Sequence, residues 1–270
     1  MIGPYGLNLV RVGVSLILFW SLWLLGKSIK ADKAVNAGIK KEHFWRFFLC
    51  GLTGVAINQM LFIKGLTMTS TIHAALLMLS TPLLITILAF WILKERVTIA
   101  KALGLALGIG GAVLLVASKD KTGTASLTGD LLIVINAISY TIYFILVKPL
   151  MLVYPPLHVV RWVFTFGFVM ILPFCLTQFS TIDWNSFEWS HIASLSFIVI
   201  CGTFLAYSFN ILGIRHLGAG ITGSYIYTQP VFAAIIAMLF LNEHFSFEKI
   251  LAALLIFGGV FLVSKKTNKN

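Results

Sequence analysis

Apolar residues in this chain come in long unbroken runs separated by short polar intervals. Neither the strict alternation of a half-buried strand nor the one-sided stripe of a surface helix describes them. Nine runs approach the length of about 20 residues that a helix needs to cross the hydrocarbon core. They are Leu7–Gly26, Phe44–Ile63, Thr71–Leu93, Ile99–Ala117, Gly129–Lys148, Leu157–Thr177, Trp189–Gly213, Ala219–Leu241 and Phe247–Ser264. Backbone in lipid must satisfy its own hydrogen bonds, so continuous runs of this length predict helices. Alternating barrel strands of about ten residues do not fit them. The expected fold is an all-α integral membrane protein with nine transmembrane helices.

Composition agrees and excludes a soluble domain. Of 270 residues, 59% are hydrophobic and 11% charged, against roughly 25% charged in soluble proteins; the mean hydropathy is +0.97. The net charge of +11 would suggest a nucleic-acid partner in a soluble protein; here it is a topology signal, and no nucleic acid is expected. With the Lys27–Lys41 loop in the cytoplasm, one face collects Lys27, Lys30, Lys33, Lys40, Lys41, Arg46, Lys94, Arg96, Lys101, Lys148, Arg161, Arg215, Lys265, Lys266 and Lys269. The other keeps only Arg11, Lys64, Lys119, Lys121 and Lys249. This positive-inside bias puts the C-terminus in the cytoplasm of a multi-pass cell-membrane protein. The opening run is too long for the core of a signal peptide. No interval can hold an ATPase module, and no GxxxxGK[ST] loop occurs. Cys50, Cys175 and Cys201 lie unpaired in apolar runs and read as small buried hydrophobes. No metal site, cofactor or catalytic set is expected.

The chain also repeats itself. A shift of 148 residues lays Gly65 on Gly213, Pro82 on Pro230, Glu95 on Glu243, Lys101 on Lys249, and Gly110-Gly111 on Gly258-Gly259; a shift of 150 lays Val10-Arg11 on Val160-Arg161. A repeat unit then holds five spans. Residues 129–266 contain all five, residues 1–120 contain four, and residues 267–270 form a cytoplasmic tail. The absent member would precede Met1, as in a fragment or a chain with a misplaced start. An odd span count inverts the second copy relative to the first, an architecture typical of secondary transporters.

The doubled segments read TPLLITILAFWILKERVTIAKALGLALGIGGAVLL and QPVFAAIIAMLFLNEHFSFEKILAALLIFGGVFLV. Each has a mid-span Pro, a Glu 13 residues on, a Ser or Thr, and a small-residue helix ending in Gly-Gly. With this pattern the chain resembles the drug/metabolite transporter superfamily, specifically the EamA-type family, over essentially its whole length. The resemblance implies ten helices with both termini cytoplasmic, of which this chain looks like helices two to ten. It also implies transport of small metabolites such as amino acids or their relatives.

Several residues are candidates for roles in such a carrier. Pro82 and Pro230 interrupt two spans and free a carbonyl one turn back, as hinges or cavity walls do. Glu95 and Glu243 end spans just before Thr98 and Ser246, which can cap the next helix; this is a structural motif. Gly110, Gly111, Gly258 and Gly259 form small-residue faces for close helix packing or a homodimer contact. Polar residues at depth mark a substrate pathway: Asn58 and Gln59; Asn136, Tyr140 and Tyr143; Tyr207 and Asn210; Tyr225, Tyr227 and Gln229. Their amides and rings suit a neutral or zwitterionic small molecule with an apolar part. Arg11 and Arg161 are gate candidates. His73 is expected at the interface, and no acid is expected at mid-membrane. The overall reading is a secondary transporter and exporter working by alternating access between inverted repeats. An intramembrane enzyme and a non-transporting sensor or scaffold are the alternatives from other classes.

Overall fold

A computed structural model describes residues 2–29, 38–78, 81, 83–84, 87, 99–117, 126–213, 216, 229–240 and 246–264. Its helices are α1 (Pro4–Ile29), α2 (Lys41–Leu66), α3 (Thr71–Met78), α4 (Ile99–Ala117), α5 (Leu127–Val153), α6 (Pro156–Ser180), α7 (Trp189–Gly213), α8 (Gln229–Phe240) and α9 (Phe247–Ser264). No strand occurs among the described residues. Six of these helices, α1, α2, α4, α5, α6 and α7, are long and apolar enough to cross a membrane. Their outward surfaces carry large aliphatic and aromatic side chains such as Ile17, Leu24, Val169 and Phe209, which only a lipid solvent tolerates over so large an area. The protein is an all-α membrane protein.

Helix ends follow local chemistry. α6 opens on Pro155-Pro156, where the fixed φ suits the first turn and the missing N–H costs nothing. Ser70, Ser126 and Ser246 cap α3, α5 and α9 by accepting from the backbone N–H of His73 (3.2 Å), Gly129 (3.1 Å) and Lys249 (3.3 Å). Ser246 thus caps the helix the sequence assigned to it, while Thr98 lies outside the described residues. α2 and α7 each contain a π-helical turn that their apolar runs did not announce, Leu52–Ala56 and Ile200–Leu205. A hydroxyl reaches back into the ladder beside each: Thr53 Oγ1 donates to Leu49 O at 2.8 Å, and Thr203 Oγ1 to Ile198 O at 3.2 Å.

The chain divides into two compact units, residues 1–63 with 142–222 and residues 64–141 with 223–270. Each combines segments from both sequence repeats. In the first unit α1 packs on α6. Near the start of α1, Tyr5 N donates to Gln178 Oε1 at 2.9 Å; towards its end, Trp20 Nε1 donates to Thr165 Oγ1 at 3.1 Å. Partner numbers fall as α1 advances, so the helices are antiparallel. Gly51 and Gly167 let α2 and α6 meet: a Cβ on Gly51 would lie 2.6 Å from Phe166 Cβ.

In the second unit α4 packs on α9, and these are equivalent helices of the repeat. A Cβ on Gly111 would lie 2.9 Å from Ala252 O, and one on Gly259 would lie 2.5 Å from Gly104 O. The 148-residue shift exchanges these two contacts, Gly111 with Gly259 and Gly104 with Ala252. Two equivalent helices meeting with such exchanged contacts are antiparallel and related by a local two-fold. This is the relation expected of an inverted repeat.

Candidate functional site

Three of the candidate pathway residues in the first unit, Gln59, Tyr143 and Tyr207, meet at the π turn of α2. Gln59 Nε2 donates to the Tyr207 hydroxyl at 3.2 Å, and that hydroxyl donates to Gly54 O at 3.2 Å. The Tyr143 ring lies against Gly54, where any Cβ would run into it. Gln59 and Tyr207 are repeat equivalents, 148 positions apart, so their bond sits where the two copies meet on themselves. Tyr207 is fixed from behind by an edge-on contact with Phe164, centroids 4.8 Å apart. Helix-to-helix bonds of this kind hold polar groups that lipid would not solvate. Gln59 Oε1 is buried with no partner. An acceptor left without a donor in a buried site is costly.

The turn of α7 carries the second part of the site. Arg11 Nε donates to Thr203 Oγ1 at 3.0 Å, within the π turn against which α1 packs. π turns are frequent at functional sites because they re-aim side chains and free a carbonyl. The buried face of α1 adds two residues that the sequence reading passed over. Asn8 and Ser15 are fully buried, and Asn8 Nδ2, Asn8 Oδ1 and Ser15 Oγ have no partner. The signal was present: Asn8, Val12, Ser15 and Phe19 fall on one helical face.

The remaining candidates lie elsewhere. Asn58 is buried on α2 and Asn210 half-buried on α7, one turn beyond Tyr207. Asn136 and Tyr140 belong to the second unit, unlike Tyr143. Gln229 and Pro230 open α8. Pro82, Glu95, Tyr225, Tyr227 and Glu243 lie outside the described residues. Gly111 and Gly259 receive closely approaching backbone, whereas Gly110 and Gly258 face open space.

The matched arginines differ. Arg161 is 2% exposed and lies over the rings of Trp23 (4.2 Å), Trp20 (4.6 Å) and Trp162 (5.8 Å). Its Nη2 is 3.0 Å from His158 Nδ1. Aromatic faces take the place of a counter-ion here, and the side chain does not snorkel.

One expectation is corrected: the cysteines are not all buried, since Cys201 is exposed. His73, in the first turn of α3, is fully buried: its Nδ1 lies 3.2 Å from Asp130 Oδ2, and Thr69 Oγ1 donates to Asp130 Oδ1. The pair joins the first turns of α3 and α5, where a carboxylate is favoured by the helix dipole. Residues 57 positions apart gave no sign of this pairing. Cys50 and Cys175 are buried, but Cys201 is exposed on the π turn of α7.

Comparison with known proteins fits this arrangement. The EamA-like transporter family model matches residues 1–117 and again 127–265. The chain is 28% identical to the uncharacterized transporter YetK of Bacillus subtilis, over 86% of this chain and 71% of that protein. It is 24% identical to an uncharacterized transporter of Archaeoglobus fulgidus, over 98% and 89% respectively. A WAT1-related protein of Arabidopsis thaliana is 23% identical over 86% and 71%. A solved crystal structure superposes with a TM-score of 0.61 at 18% identity, covering 97% of this chain and 88% of the other, and shares the fold. The family model matches the chain twice and covers nearly all of it, and the chain belongs to the EamA-like transporter family.

Proposed function

We propose that the protein is a secondary carrier that exports small organic metabolites, amino acids or related compounds, across the cell membrane by alternating access between inverted repeats. The observation that carries this reading is the bond between Gln59 and Tyr207, equivalent residues joined beside a π turn, with Gln59 Oε1 left for a ligand. The names of the relatives support transport, and the antiparallel equivalent helices support a doubled framework. The polar groups at this site are amides and hydroxyls with one arginine, which orient a neutral or zwitterionic molecule; the rings of Tyr143 and Phe164 enclose its apolar part. The C-terminus faces the cytoplasm in this reading. The protein acts as a carrier, not an enzyme.

The test is flux in proteoliposomes containing the full chain. Labelled amino acids, nucleosides and their relatives are loaded and their exchange followed. Saturable counterflow of at least one class, reduced at least tenfold by Gln59→Leu at unchanged protein yield, is expected. Protein-independent leakage for the whole panel overturns the reading.

A further inference from the structure

Arg11 is half-buried in the α1 span. Its Nε donates to Thr203 Oγ1 at 3.0 Å, and Thr203 is fully buried in the π turn of α7. Thr203 lies roughly 21 Å along α7 from Trp189, inside the span, and the bond holds the guanidinium there. A guanidinium stays protonated in proteins, so a full positive charge stands among apolar helices. The acids of the described first unit are Glu42, Asp183 and Glu188, and none pairs with it. Glu42 lies beside Lys40 and His43, Asp183 accepts from Asn185 N, and Glu188 is the N-cap of α7. Arg161, its match in the repeat, is covered by three tryptophan rings; among the described residues Arg11 has none. A lone cation inside a membrane is costly, and a counter-anion removes that cost. Asn8 and Ser15 sit one turn to either side of Arg11 on α1. Both are fully buried, and Asn8 Nδ2 and Ser15 Oγ have no partner; both atoms can donate.

We propose that this group binds an organic monocarboxylate and selects it by the carboxylate alone. The two Nη groups of Arg11 grip the carboxylate oxygens in the paired geometry that a guanidinium offers. Asn8 and Ser15 supply further donors within a turn. The half-buried rings of Phe204 and Tyr207, which follow Thr203 along α7, take the apolar body. With no described carboxylate beside Arg11 to receive an ammonium, an amino group adds nothing. A zwitterion binds here through its carboxylate, and the same acid without its amino group binds as well. An uncharged amide loses the charge-assisted bonds, and a dianion leaves one negative charge unmatched in apolar surroundings. The inference rests on the carrier reading for the place of the site and narrows its ligand class. Binding is its content, and it requires no flux.

The test uses the full chain in phosphatidylcholine nanodiscs at neutral pH, with empty nanodiscs as blank. Tritiated 3-phenylpropionate is bound and displaced by 3-phenylpropionate, by 3-phenylpropionamide and by phenylalanine. The acid should bind at least tenfold more tightly than its amide, and phenylalanine no more tightly than the acid. Arg11→Gln should bring the acid down to the amide. Arg11→Lys, which keeps the charge without the planar fork, should weaken the acid at least threefold. Equal binding of acid and amide, a preference that survives Arg11→Gln, or tighter binding of phenylalanine than of the acid overturns the proposal. So does loss of the preference when phosphatidylglycerol is added to the nanodiscs, since the arginine then serves an anionic lipid. Where Arg11→Gln does not fold, Arg11→Lys decides, and unchanged acid affinity overturns the proposal. Acid-selective binding without counterflow counts against the carrier reading alone, and counterflow without acid preference counts against this inference alone.

Discussion

The hydroxyl of Tyr207 accepts from Gln59 and donates to Gly54 O, while the Tyr207 ring packs on Phe164. Each side-chain bond in such a setting contributes about 1 kcal/mol. Tyr207→Phe keeps the ring and loses both bonds; Gln59→Leu keeps the volume and loses one. Their effects on thermal stability in detergent should be non-additive by about 0.5–1.5 kcal/mol in a double-mutant cycle, because both remove the same bond. Strict additivity would show that the bond contributes nothing to the fold. At this scale the sequence disclosed residue types and not partners. Gln59 and Tyr207 were legible as polar positions matched by the repeat, but their contact depends on how two helices meet. Asn8 and Ser15 were overlooked although their spacing was readable. The burial of Asp130 was not legible either, because position along a span does not report it.

At the scale of the helix, glycines that look alike in sequence behave differently. A Cβ on Gly259 would lie 2.5 Å from Gly104 O and 2.6 Å from Gly108 N, which are backbone atoms that cannot rotate away. Gly259→Ala should therefore separate α4 from α9 and destabilise the protein by about 1–3 kcal/mol. Gly258→Ala meets nothing within 4 Å and should be neutral, or stabilising by up to about 1 kcal/mol through helix propensity. Melting of the two variants by tryptophan fluorescence checks this, and similar melting temperatures would contradict the packing. The Gly-Gly pairs were visible as small-residue positions. Which member of each pair faces the neighbouring helix follows from helix phase and crossing point, and both are set by the packing. The π turns were not legible for a related reason. They arise where Thr53 and Thr203 reach back to carbonyls, and threonine does so only in certain surroundings.

For the whole molecule, charge sorting is the strongest expectation drawn from sequence. The +11 net charge is distributed as the positive-inside rule requires of a chain with a cytoplasmic C-terminus. A green fluorescent protein fused after Asn270 should fluoresce, and alkaline phosphatase fused at the same point should be inactive. The reverse result would turn the topology over. The two compact units add what charge cannot. Each takes segments from both repeats, and α4 and α9, equivalent in sequence, pack on each other within one unit. The repeats are therefore not two separate bodies in chain order.

The class of fold, most helix positions and the repeat follow from the amino-acid sequence alone. Its apolar runs leave a backbone in lipid no alternative to internal hydrogen bonding, so length and hydropathy suffice. Packing alone settles that α4 and α9 lie against each other with exchanged contacts, that Gln59 meets Tyr207, that Arg161 rests among tryptophans, and that Asp130 and His73 are paired. In a chain apolar all round, hydrophobicity does not say which face of a helix turns inward. Small residues, hydroxyls and buried charges settle that by close packing across large separations in sequence.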